Sequence, residues 1–176
     1  MIDDILQWFP FRGHKIQYGL FSTPIAKREL KCGLSRKTYG VDRTYYAEAN
    51  DILLNDTTTL LDMFHGLCVP FTVYFTNRHP DFTPTVLERP CSFYNTTNHA
   101  FALKHLPNGI CLFADARGIT DDPIEFFSDY TFSKNNMAIK QLKIAPDEYE
   151  DGHLFKPDQI CKTAYNIIFE NCPYLK

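Results

Sequence analysis

Three groups of residues in this 176-residue chain have the types and spacing that chemistry requires. The first is Thr76, Asn77, Arg78 and His79, delivered at the end of the apolar run Val69–Phe75, with His65 a few residues ahead of it. An arginine can hold a phosphate bidentately through its planar fork, and Pro80 biases His79 away from helical geometry. A rigid element that ends in Arg, His and Asn presents polar groups to a ligand. Tyr74 and Phe75, with Tyr18 upstream, offer faces on which a flat ring could stack. The second group is the acidic run Asp147-Glu148-Tyr149-Glu150-Asp151. There, Glu148 or Glu150 could stabilise a developing positive charge and accept a proton. The third is Cys111 with His99 or His105, a pairing that would suit a cysteine hydrolase. Cys111 lies inside the apolar pattern ICLF, however, and not at a helix N-terminus where a thiolate is stabilised. The pattern therefore argues against a nucleophile at Cys111. Each group also has a plain structural reading: a surface arginine at a turn, a loop histidine, core aromatics, a solvated acidic loop.

These groups need elements to hold them. Val69–Phe75 is rich in strand formers, so the sequence predicts a buried central strand, with Pro70 tolerated among its first residues. Ile16 to Phe21 reads as a short strand. Ser22-Thr23-Pro24 then starts a helix that Gly33 closes. A short leading helix ends at Pro10. Residues 45–64 read as helix in two pieces, with a break and fresh capping at Asp56 to Thr59. Thr83 to Cys91 reads as a proline-bounded connection, Ser92 to Tyr94 as a short strand or turn, and His99 to Lys104 as a short helix or strand end. Pro107-Asn108-Gly109 is a turn, and Ile110 to Ala114 is a buried strand. Pro123 to Phe132 contains a short helix with Ile124, Phe127 and Tyr130 on one stripe. Met137 to Lys143 fits helix or strand, because so short a run does not reveal its period. Cys161 to Phe169 reads as a final strand. Strands and helices mix without βαβ alternation, which favours an α+β single domain spanning 1–176, built on a mixed sheet.

Composition sets wide bounds. A chain of this length buries enough surface to fold without a disulfide or metal. The net charge of −3 gives no basic footprint for duplex nucleic acid. Six cysteines show neither C-x-x-C nor zinc-ligand spacing. With no signal peptide and no apolar run of membrane-spanning length, the sequence reads as a cytoplasmic protein with reduced thiols and no membrane association. No glycine-rich phosphate loop, H-E-x-x-H pair or serine nucleophile elbow occurs.

The run V-P-F followed by Y-F-x-x-R-x-P (Val69 to Pro80), with His65 before it, resembles the central part of DarT-type ADP-ribosyltransferases, toxins that attach ADP-ribose from NAD to bases of single-stranded DNA. Tyr18-Gly19-Leu20 with Gly33-Leu34 resembles the family's first strand, helix and Gly-Leu turn. ICLFADARGITDDPIEFF resembles its strand, turn and aromatic helix. The resemblance runs in order along nearly the whole chain. It implies an ADP-ribosyltransferase fold, NAD as substrate without a metal, single-stranded nucleic acid as partner, and an antitoxin or other protein partner. It implies Glu148 or Glu150 as catalytic carboxylate, Tyr18 and Gly19 at the NAD site, and His65, Tyr74 and Arg78 at the acceptor. The family has a His where Gly19 stands, for which His14 is the nearest substitute, and an Arg for which Arg36 and Arg43 are the nearest candidates. Those departures leave an alternative: a catalytically inactive relative that binds nucleic acid or protein.

Overall fold

The computed structural model describes residues 9, 15–22, 48–90, 95–127, 138–143 and 158–176. Among them, six strands form one sheet. They are β1 (Gln17–Gly19), β2 (Thr83–Pro90), β3 (Asn95–His105), β4 (Cys111–Asp115), β5 (Gly118–Thr120) and β6 (Ala138–Gln141), in the order β1-β5-β4-β3-β2-β6. Among the described residues, the helices α1 (Cys68–Arg78), α2 (Pro123–Phe127) and α3 (Asp158–Phe169) accompany the sheet. The α+β expectation holds, but the sheet is antiparallel at every pairing and not mixed. Its central strands follow one another through tight turns, at Pro107–Gly109 and at Ala116–Arg117, and turns that short join only antiparallel neighbours.

The central run is a helix, not the strand that its β-branched and aromatic content predicts. Burial shows why: Phe71, Thr72, Phe75 and Thr76 are the buried positions of α1, one stripe at helical spacing. Pro70 falls in the first turn, where a missing N–H removes no intrahelical bond. Phe75 packs edge-on to Phe82 at 5.2 Å and lies 5.0 Å from Phe169 of α3. Cys161 to Phe169 is likewise the body of α3, burying Cys161, Ala164, Ile168 and Phe169 at helical intervals. Tertiary burial overrides local propensity in both.

The opposite correction applies at Thr83 to Cys91. It contains β2, hydrogen-bonded to β3 along its length and to β6 only from Thr85 to Glu88. Pro84 and Pro90 thus fall beyond the stretch flanked on both sides, where a proline disturbs least. His99 to Lys104 belongs to β3, and Met137 to Lys143 contains β6. The first strand is shorter than read, Gln17–Gly19, and passes into a 3-10 turn at Leu20–Ser22. The Ile110 strand is borne out as β4, and Asn108 caps the turn before it by accepting the Ile110 N–H at 3.1 Å. Residues 48–50 are helical, and the second piece is a 3-10 turn, Leu60–Met63. Asp62 accepts the Thr59 N–H there at 2.7 Å. In α2, Phe127 is buried and Ile124 exposed, so the two do not share a core stripe. Tyr130, Ser92 to Tyr94, the helix from Ser22 to Gly33 and most of the leading segment lie outside the described residues. Of that segment, Phe9 is described; it is buried, with its ring 4.8 Å from that of Phe113.

Candidate active site

Gly66, at φ +104°, turns the chain just before α1 in a conformation that suits glycine. The Leu67 N–H then donates to the Asp62 carbonyl at 3.1 Å, and Cys68 becomes the first residue of the helix. A thiol there meets backbone N–H groups that have no intrahelical acceptor, at the positive end of the helix dipole. This is the setting that the sequence denied to Cys111.

The strand beneath α1 supplies the partner. In β3, Leu87 of β2 faces His99 while Glu88 faces Thr97, so one extra β3 residue is accommodated beside His99. Such a bulge re-aims the side chains next to it. His99 is 1% exposed, and the thiol beside it is that of Cys68. Its Nε2 lies 2.9 Å from Oδ2 of Asp115. Asp115 ends β4; the Ala102↔Ala114 register places it opposite Phe101, two residues along β3 from His99 and therefore on the same face. Cysteine, histidine and aspartate thus stand in one row that begins at a helix N-terminus, with the histidine hydrogen-bonded to the aspartate.

Charge follows from this geometry. Burial opposes ionisation of Asp115, but the Arg117 charge and the His99 hydrogen bond hold its carboxyl far below the usual carboxylate range. Burial also opposes protonation of His99, yet its bond to Asp115 and the Cys68 thiol beside it raise its pKa above the ordinary value. For Cys68, burial is again adverse. His99 beside it, with the Ala100 and Val69 backbone groups, outweighs it and lowers the thiol's pKa. All three shifts favour a thiolate–imidazolium pair backed by a carboxylate.

Among the residues singled out from sequence, His65 lies beside this row: burial, then the His99 charge, lower its pKa, against Asp62. Arg78 and Tyr74 do not join it. Arg78 is at the last turn of α1, an 11-residue helix whose ends are roughly 16 Å apart. It stacks over the Tyr74 ring at 4.3 Å and helps to line a separate open hollow of about 220 Å³ with His79, Asp81 and Lys104. Tyr18 pairs with Ile119 across β1 and β5. Gly19 has φ +75°, and a side-chain carbon there would come within 2.9 Å of the Arg117 carbonyl oxygen, so the backbone itself requires glycine. His14, Arg36, Arg43, Glu148 and Glu150 lie outside the described residues. Cys111 does meet His105, with Sγ 3.2 Å from Nδ1, but burial raises its pKa.

Sequence reasoning missed Cys68, Asp115 and Arg117. The available signal was Cys-x-Pro opening a helical stripe, followed by a strand His and a strand-ending Asp. Among the described residues, no group of three His, Cys, Asp or Glu side chains could hold a metal ion. None of their helices is long and apolar enough to cross a membrane. The chain matches no protein-family profile, no curated protein and no solved structure.

Proposed function

We propose that this protein is a cysteine-dependent acyl-transfer enzyme, acting on an amide, ester or thioester through a thioester on Cys68. One observation carries the reading: a buried histidine held by a buried aspartate stands beside the first residue of a helix, a cysteine. The roles follow from the hydrogen bonds. His99 uses Nε2 on Asp115, which leaves Nδ1 as the nitrogen that exchanges a proton with Cys68. The Cys68 thiolate attacks the acyl carbon, and an S–C bond forms. The carbonyl oxygen gathers negative charge, for which the Cys68 N–H at the start of α1 is the donor at hand. His99 gives its proton to the leaving amine, alcohol or thiol as that bond breaks. Water or an acceptor nucleophile then loses a proton to His99, attacks the thioester, and releases Cys68 as thiolate.

The test is a burst experiment with p-nitrophenyl acetate. A stoichiometric burst of nitrophenolate and one acetyl group on Cys68, read by peptide mass spectrometry, are expected. Cys68→Ala should abolish both, and Cys111→Ala should leave both. Acetylation elsewhere with no burst would make the row a structural part of the core. No geometry among the described residues favours ADP-ribosyl transfer, whose carboxylates Glu148 and Glu150 lie outside them. Incubation with NAD and single-stranded oligonucleotides, read for added ADP-ribose, is the arm that would reverse this order.

A further inference from the structure

Asp115 is itself held. Arg117, 1% exposed, donates from Nε to Oδ1 at 3.1 Å and to Oδ2 at 3.0 Å, and from Nη2 to Oδ2 at 2.6 Å. Its backbone N–H donates to Oδ1 at 2.8 Å. The remaining Nη1 donates to the Phe126 carbonyl at 3.1 Å. The rings of Phe126 and Phe21 lie 4.6 and 4.8 Å from the guanidinium carbon. Burying an ion pair seldom stabilises a fold more than apolar residues of the same volume would. A fully buried arginine therefore calls for a reason beyond stability.

We propose that Arg117 is a positioning residue of the Cys68–His99–Asp115 row: its fork fixes the carboxylate that orients His99, and its charge keeps that carboxylate ionised in a dry core. This rests on the acyl-transfer reading. With Arg117 present, the four groups sum to zero charge before and after a proton passes from Cys68 to His99, so the transfer adds no net charge to the row. Without it, a carboxylate that is 2% exposed takes up a proton instead of remaining charged. His99 then loses the counter-charge of its imidazolium, and the Cys68 thiol returns toward its ordinary pKa. Among the described residues, His65, on the turn before α1, also faces His99 beside Cys68 and Asp115.

The experiment measures iodoacetamide alkylation of Cys68 against pH, read at that cysteine by peptide mass spectrometry, in the parent, Arg117→Lys and Arg117→Met. The parent midpoint should lie well below the ordinary thiol value of about 8.5. Arg117→Met should raise it by about one pH unit or more, lowering the rate on the acid side about tenfold. Arg117→Lys keeps a cation without the fork, and should raise it by less. Unchanged midpoints in the folded variants would make Arg117 a structural residue and overturn the proposal. If Arg117→Met does not fold, an unchanged midpoint in Arg117→Lys does so alone. A parent midpoint at the ordinary value, unmoved by His99→Gln, would sink the acyl-transfer reading and this proposal with it.

Discussion

His99 has its ring oriented before any substrate arrives, because Asp115 accepts from Nε2 and Cys68 lies beside it. That makes His99 the residue whose removal is most informative. His99→Gln retains a hydrogen-bonding side chain but cannot carry a proton at neutral pH. Alkylation of Cys68 at pH 6 should fall about tenfold or more as the thiolate is lost. The acetyl burst should fall by about 10²-fold, as expected when a positioned acid–base group is removed. Equal alkylation rates in the two proteins would show that His99 does not activate the thiol. Arg78 is a fitting control: it stands at the far end of α1, stacked over Tyr74, and Arg78→Ala should leave Cys68 reactivity unchanged.

At the level of elements, the row depends on α1 starting where it does and on β4 and β5 turning tightly. Between them, Ala116 and Arg117 form the turn and Gly118 opens β5 at φ +122°. A side-chain carbon at Gly118 would fall 1.8 Å from the Tyr18 carbonyl oxygen, on a strand that cannot move away without breaking its pairing. Gly118→Ala should therefore cost above about 4 kcal/mol, in the range of severe structural faults. Gly109 has φ +80° but open space around it, so Gly109→Ala should cost only the ~1–2 kcal/mol of the left-handed backbone. Urea denaturation of the two variants measures the difference. Similar costs would mean that the contact between β1 and β5 relaxes freely.

The molecule as a whole should show the buried carboxylate in its acid stability. A carboxyl whose native pKa lies below its unfolded value adds stability above about pH 3.9 and loses it as pH falls toward the native value. Asp115 is such a group. His99, raised, loses its contribution as pH rises above about 6.5, while Cys68, lowered, gains over the range below about 8.5. Paired, they hold one proton, as an unfolded neutral imidazole and thiol do between those values, so the two trends cancel there. The parent should lose stability below about pH 4. Asp115→Asn should begin about 3–5 kcal/mol less stable at neutral pH, because Arg117 is left buried and unbalanced. It should then lose less on acidification. His79, whose pKa burial lowers, adds a loss below about pH 6.5 that is common to both proteins. Denaturant unfolding at several pH values checks the difference between the two curves, and parallel curves would remove Asp115 from the account.

The sequence by itself determined what short-range chemistry dictates. The Pro107–Gly109 turn, the β4 strand, the start of α2 at Pro123, the α+β class and the absence of a basic footprint were all legible from residue types in short windows. It also set Cys111 with His99 or His105 and argued against a nucleophile there; the structure brings Cys111 to His105 and His99 to Asp115. Tertiary structure decided the rest. Val69–Phe75 and Cys161–Phe169 carry β-branched and aromatic residues that suit a strand, and only burial, of α1 against β3 and of α1 and α3 against each other, selects helix. That choice makes Cys68 the first residue of α1, where helix N–H groups can stabilise a thiolate; on a strand it would resemble Cys111, whose pKa burial raises. Bringing Cys68, His99 and Asp115 together takes a helix packed on a sheet, one bulge and the antiparallel register of two strands. The three stand 31 and 16 residues apart in sequence, beyond the reach of local pattern, and only packing makes them neighbours.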